Sequence, residues 1–320
     1  MSVKRRIVRK EKEEITVLEV FEMFCIEKKS TGRSEKTIRN YEESLKRFLQ
    51  IMQCENFKIG ELERDDIQEF VECMQSESVR IDTINHYLRD LRTFFNWCWK
   101  ENYIEQIKIA MVKGQEAIKE TYTEEELIRL LENPIGDNYC EWRCWAIINW
   151  ILSTGNREKT ICNIQMKNIN LQEKEIILST TKNKRVQVIP MSTELSFVLR
   201  KFIRDFRSEA EEEEYLFCNV AGEQMTENAL RLSIRDYNLS RGVEKTSVHS
   251  LRHTFSKMWI KNGGDAFRLQ KMLGHSSLDM TRKYVNMFSS DLAAGFDEIS
   301  PLDRMKMNDR KKHVIKRKRA

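Results

Sequence analysis

A mainly α-helical chain in two units, with a small β-hairpin or sheet in the second, is the fold class the sequence predicts. Three observations carry it. Apolar residues recur at helical spacing through the first hundred positions. One stretch, Glu175 to Ile189, is instead rich in β-formers around a short polar tip. With 3 Pro and 11 Gly in 320 residues, the chain has too few turn-formers for a β-sandwich. At about 150 residues per domain, the length itself argues for two domains.

The elements follow in order. Thr16 precedes a first helix with Val17, Leu18, Val20, Phe21, Phe24 and Cys25. Ser34 is placed as the N-cap of a second, whose Ile38, Tyr41, Leu45, Phe48, Leu49 and Met52 line one face. Asp65 and Asp66 open a short third helix with Ile67, Phe70 and Val71. A fourth, Ile81 to Tyr103, carries Ile84, Tyr87, Leu88, Leu91, Phe94, Phe95 and Trp99. Four such helices make a bundle of about 90 residues. Residues 105–120 lose the helical period and read as a linker. Thr123 with Glu126 is a capping box that starts the second unit. Further helical patterns run at Leu127 to Leu131, at Trp142 to Leu152, and at Ile161 and Ile164. Glu175 to Thr180 and Arg185 to Ile189 then predict a β-hairpin with Lys182, Asn183 and Lys184 at its tip, ended by Pro190. Helices resume, interrupted by the acidic run Glu209 to Glu214, a solvated face or loop. The division is a basic arm (1–15), a helical unit (16–104), a linker (105–120), a second unit (121–300) and a basic tail (301–320).

Composition narrows the function. Charged residues are 33% and hydrophobic residues 40%, which suits a globular protein and not a disordered one. The longest strongly apolar stretch, Cys144 to Leu152, is far short of the roughly 20 residues of a membrane span. Residues 1–15 are charged and lack the apolar core of a signal peptide. A cytoplasmic protein without membrane contact is therefore expected. The 8 cysteines (25, 54, 73, 98, 140, 144, 162 and 218) stand singly with no C-x-x-C pair, and read as buried free thiols. Net charge is only +5, yet residues 1–12 carry +5 and residues 304–320 carry +8, leaving −8 on the rest. Basic ends on an acidic body suit either a nucleic-acid binder or a chain kept in solution by its tails.

The chemistry concentrates in a histidine cluster. Three of the five histidines, His249, His253 and His275, fall close together, in SVHSLRHTF and LGHSSLDMTRKYV. Ser276 and Asp279 form a capping box that starts a helix over Ser277 to Val285, with Tyr284 near its end. Metal binding is one reading, since His249 and His253 have i, i+4 spacing, but Ser250 stands where a zinc protease needs its glutamate. Satisfied core histidines are a second. Phosphate chemistry is a third, and upstream residues favour it. Gly155 breaks the most apolar helix and delivers Arg157 from a buried element, where an arginine needs an anion. Arg252 lies one helical turn after His249. Guanidinium forks can hold both non-bridging oxygens of a phosphodiester.

These segments, in this order, resemble the tyrosine recombinase (phage integrase) family over roughly residues 16–300. The family's T-G-x-R segment matches Thr154-Gly155-Asn156-Arg157, and its hairpin lysine matches Lys182, eight residues before Pro190. Its H-x-L-R-H box matches His249-Ser250-Leu251-Arg252-His253, its L-G-H segment Leu273-Gly274-His275, and its tyrosine Tyr284. The second helix also has the family's T-I-x-x-Y pattern, Thr37-Ile38-Arg39-Asn40-Tyr41. Where many members carry an acidic residue three positions after the first arginine, this chain has Thr160, with Glu158 next to Arg157. Lys184 shares the hairpin tip with Lys182.

The resemblance implies a helical, SAM-like core-binding domain followed by a mixed α+β catalytic domain. It implies cleavage and rejoining of double-stranded DNA at specific sites without metal, nucleotide or other cofactor. Tyr284 would attack the scissile phosphate, forming a 3′-phosphotyrosine bond. His249 would take its proton, Arg157, Arg252 and His275 would hold the non-bridging oxygens, and Lys182 would protonate the leaving 5′-oxygen. His253 would support the arginine box. Residues 290–299, with Leu292, Phe296 and Ile299, would pack onto a neighbouring subunit in a homotetramer on two duplexes, with an accessory DNA-bending or directionality factor as a possible partner. Integration or excision of a mobile element is the expected role. Xer-type chromosome dimer resolution, topoisomerase-like or protelomerase-like activity, and non-catalytic DNA binding are the alternatives.

Overall fold

The computed structural model describes residues 15–53, 58–114, 120–178 and 186–274. It divides into two compact units, with the boundary between Ala117 and Ile118.

Among its described residues the first unit has four α-helices: α1 (Val17–Ser30), α2 (Glu35–Ile51), α3 (Arg64–Ser76) and α4 (Ile81–Lys100). Their starts are set locally. Thr16 and Glu19 cap α1 reciprocally, each side chain taking the other's backbone N–H at 3.3 and 3.0 Å. Ser34 accepts the Thr37 N–H at 3.2 Å and opens α2. In α3 the cap residue is Glu63, whose N–H donates to the Asp66 carboxylate at 2.7 Å. The core is aromatic: Phe24, Phe48, Phe70, Phe94 and Phe95 are all buried, with the Phe21 and Phe94 rings edge-on at 5.0 Å. α4 ends at Lys100, short of Tyr103, because Asn102 turns into the left-handed region at φ 58° and the Tyr103 N–H closes back on the Cys98 carbonyl at 2.8 Å.

Residues 105–114, within the stretch read as a linker, carry neither helix nor strand but pack on this unit. Their apolar residues are two apart: Ile107, Ile109 and Met111 face the core, with Ile109 buried in it. Asn85 of α4 clips the segment, donating to the Val112 carbonyl at 3.0 Å and accepting the Val112 N–H at 2.8 Å.

The second unit contains α5 (Glu124–Leu131), α6 (Tyr139–Thr154), α7 (Glu158–Cys162), β1 (Ile169–Asn170), β2 (Glu175–Leu178), β3 (Gln187–Pro190), α8 (Thr193–Phe206), α9 (Glu227–Ser240), α10 (Val248–Lys261) and α11 (Ala266–Leu273). Thr123 and Glu126 cap α5 as the sequence leads one to expect. α6 is the centre: Trp142, Trp145, Ile147, Ile148, Trp150 and Ile151 are all buried, and α5, α8, α9 and α10 pack round it. A helix apolar on every side must be enclosed. The hairpin strands pair antiparallel, Glu175 with Pro190 and Leu178 with Gln187, and the two-residue β1 adds a third strand. The acidic run is a loop, held by the Glu214 to Arg207 ion pair at 2.6 Å. Gly263 and Gly264 lie in the turn between α10 and α11.

The described cysteines are free thiols, five of them buried; Cys140 is exposed because it sits on the outer side of α6 near its start. Cys54 lies outside the described residues. Among the described residues no helix is long and apolar enough to cross a membrane.

Candidate active site

The site forms where α6, α10 and α11 meet. α6 ends at Gly155, which caps it in the left-handed region at φ 62°. Glycine is required there twice. The backbone conformation disfavours any side chain, and a β-carbon would stand 2.4 Å from Phe255 Cδ1 of α10 and 2.7 Å from Leu273 Cδ2 of α11. The three elements close on one another because this residue is bare. Gly155→Ala should therefore destabilise the unit: about 1–2 kcal/mol from the left-handed backbone and about 1–3 kcal/mol from overpacking. That corresponds to a fall of roughly 10 °C in the thermal midpoint. An unchanged midpoint by calorimetry would contradict the close approach.

Beyond Gly155 the chain is held by Asn156, a buried residue whose Oδ1 accepts the Trp150 indole N–H at 2.9 Å. Arg157 follows in extended conformation as the residue before α7. Its Nη1 donates to the Leu273 carbonyl at 3.1 Å and the Gly274 carbonyl at 3.4 Å, and its Nη2 to Gly274 at 3.5 Å. Arg252, on α10, is 5% exposed. Its Nη1 donates to the Gly155 carbonyl and its Nη2 to Leu273 at 3.0 Å. The two guanidinium groups thus share one acceptor oxygen and stand side by side.

In the structure, helix ends supply oxygens to both arginines. Gly155 caps α6, and Leu273 and Gly274 are the last residue and the cap of α11. Terminal carbonyls of a helix lack intrahelical partners and carry the negative end of its dipole. They are oxygens that stabilise the buried Arg252 and the half-buried Arg157. Burial lowers the Arg157 pKa from its ordinary value, but a guanidinium begins so high that it keeps its charge. Glu158, next to Arg157, pairs instead with Arg231 of α9 at 2.6 Å, and the Thr160 backbone N–H closes the first turn of α7 on the Arg157 carbonyl at 2.9 Å.

α10 brings His249 to the same end of the unit, one turn before Arg252, and leaves it exposed. Ser247 caps the helix just before it, accepting the Ser250 N–H at 3.2 Å. The His249 and His253 rings meet edge to face with centroids 4.2 Å apart, His253 being buried. Among the described residues no three metal-ligating side chains come together. α10 is also fixed from the start of the unit. The Tyr122 N–H donates to Thr254 Oγ1 at 2.9 Å, and its hydroxyl donates to the Lys245 carbonyl at 3.0 Å while accepting Asn238 Nδ2–H at 3.0 Å. Sequence reasoning missed these contacts and the three carbonyls, because main-chain acceptors leave no mark on residue type. The structure therefore brings Arg157 and Arg252 together and sets His249 one helical turn before Arg252. Lys182, Lys184, His275, Tyr284, the helix expected over Ser277 to Val285, residues 290–299 and both basic ends lie outside the described residues.

Paired guanidinium groups at helix ends, with an exposed histidine one turn before the second, are an arrangement that can take hold of a phosphodiester, here on a mainly helical two-unit chain. The pattern of the phage integrase family matches residues 120–290, and that of its N-terminal SAM-like domain matches residues 28–102. The chain belongs to the phage integrase family and is a site-specific DNA recombinase of the tyrosine class. It is 26% identical to the tyrosine recombinase XerC of Thermodesulfovibrio yellowstonii, over 85% of this chain and 93% of that protein. It is also 26% identical to XerD of Staphylococcus haemolyticus, over 89% and 99%. Among solved structures, the Tn1549 transposon integrase in complex with a circular intermediate DNA superposes with a TM-score of 0.68 at 20% identity, covering 84% of this chain and 94% of that one. A lambda integrase tetramer bound to a Holliday junction gives a TM-score of 0.65 at 15% identity, covering 83% and 79%.

Proposed function

We propose that this recombinase cleaves and rejoins double-stranded DNA through Tyr284, and that Arg157, Arg252, His249, His275 and Lys182 carry the chemistry with it. The observation that supports this most directly is the pair of guanidinium groups sharing the Leu273 carbonyl. Side by side, they can each take one non-bridging oxygen and meet the charge that grows in the transition state. His249 accepts the tyrosine proton, His275 donates to a non-bridging oxygen, and Lys182 protonates the leaving 5′-oxygen. The covalent bond to Tyr284 conserves the phosphodiester's energy, so rejoining needs no nucleotide.

The working assembly is a homotetramer on two duplexes, as in the lambda integrase complex on a Holliday junction. For the biological role we keep integration or excision of a mobile element, which the basic segment 304–320 and the likeness to a transposon integrase support. Xer-type dimer resolution is the second reading. It is favoured by relatives named XerC and XerD that align over nearly their full length.

Covalent capture tests both. Fragmented, nicked genomic DNA is incubated with the protein in EDTA, and DNA that enters the phenol layer is recovered by protease and sequenced. A recurrent site in EDTA is the expected result, and no covalent DNA would overturn the reading. Element ends among the recovered sequences support mobility, and a single chromosomal site supports dimer resolution.

A further inference from the structure

We propose that Gln187 is a positioning residue for Arg157 and Arg252, a role that rests on reading those arginines as the phosphate-binding pair. β3 alternates in its environment: Val188 is 50% exposed and Ile189 is 1% exposed. Gln187, two residues before Ile189, therefore stands on the inward side of the strand, where a polar side chain needs a partner. Its Nε2–H donates to the Lys271 carbonyl in the last turn of α11. The same oxygen accepts the Gly274 N–H at 3.1 Å. The amide thereby fastens the turn whose Leu273 carbonyl holds both guanidinium groups and whose Gly274 carbonyl holds Arg157.

A second contact runs along the same line. Gly274 caps α11 in the left-handed region at φ 60°. A β-carbon there would stand 3.6 Å from Arg157 Nη1 and 3.7 Å from Gln187 Oε1, so one bare residue is faced by both side chains. Gln187 is itself fixed across the sheet by its pairing with the buried Leu178. Sheet, helix end and arginines make one continuous series of contacts. Gln187 does not act on the DNA. It holds the Leu273 and Gly274 carbonyls still, and they aim the guanidinium groups. Donors stabilise a developing charge only when they are already in place.

The test measures single-turnover adduct formation by the wild type, Gln187→Ala and Gln187→Glu. The last keeps the size of the side chain but cannot donate to Lys271. Three versions of the captured site are used: the normal scissile phosphate, a neutral methylphosphonate, and a phosphate with sulfur at the bridging 5′ position. Both variants should be about tenfold slower on normal DNA, the worth of one neutral hydrogen bond. On the methylphosphonate the gap to wild type should close, because the charge that the arginines meet has been removed. On the sulfur substrate the tenfold gap should persist, because only the leaving group has changed. Equal losses on all three substrates would make Gln187 a structural residue and overturn the proposal. Rescue by sulfur would assign it to the lysine hairpin and overturn it as well, as would rates equal to wild type on normal DNA. Wild-type protein that forms no adduct on normal DNA would overturn the strand-transfer reading itself, a failure distinct from these.

Discussion

Replacing Tyr284 by Phe should leave DNA binding unchanged and remove the covalent protein–DNA adduct completely. The change deletes one oxygen and keeps the ring, so the shape presented to DNA and to the protein is preserved. The deleted atom is the proposed nucleophile. Strand transfer without a nucleotide is possible only if the energy of the broken phosphodiester is stored in a new covalent bond, and with the phenol gone that bond cannot form. A free tyrosine has a pKa near 10, so its attack at neutral pH requires a proton acceptor, the part assigned to His249. The measurement is denaturing electrophoresis of labelled, nicked site DNA. Binding measured by mobility shift should stay within about twofold of wild type. An adduct retained by Tyr284→Phe would move the nucleophile to another residue.

The second large effect is expected at Lys182. An alkoxide is a poor leaving group, its conjugate acid having a pKa of roughly 15, near that of water. A proton must therefore arrive as the P–O bond breaks, and general acids of this kind contribute about 10²–10⁴ in rate. Lys182→Ala should lose activity on that scale on normal DNA. With sulfur at the bridging position, the leaving group becomes a thiolate whose conjugate acid has a pKa of about 8.5, and it departs without a proton. The variant should then recover most of the wild-type rate. Arg157→Ala and Arg252→Ala should stay slow on the same DNA, because charge on the non-bridging oxygens is unaltered. Rescue of Lys184→Ala in place of Lys182→Ala would shift the acid two residues along the tip, and rescue of neither would assign the proton to another group.

What the sequence revealed and what it concealed divide along a physical line. Helix starts were legible because caps are local: Ser34, and Thr123 with Glu126, each show within four residues. The buried α6 was legible because nothing else explains Trp142 to Leu152. β1 was not, since Ile169 and Asn170 are strand only through pairing with Ile176 and Glu175. The packing of residues 105–114 on the first unit was not, since their apolar residues recur two apart and carry no helical period. In the site, Arg157, Arg252 and His249 were visible as residue types at meaningful spacing. What holds the arginines was not, because Gly155, Leu273 and Gly274 act through main-chain oxygens.

Those oxygens have an electrical consequence. A carboxylate that aims an arginine also cancels much of its charge, so a phosphate approaching the pair meets little net field. Carbonyl groups aim without cancelling. The carbonyls at the ends of α6 and α11 that hold Arg157 and Arg252 bring only partial negative charge to them. A phosphodiester and its developing second charge can neutralise both. An amide oxygen also does not titrate in the range where proteins are folded, so the aim of the pair persists on acidification, when a carboxylate support would be protonated and let go.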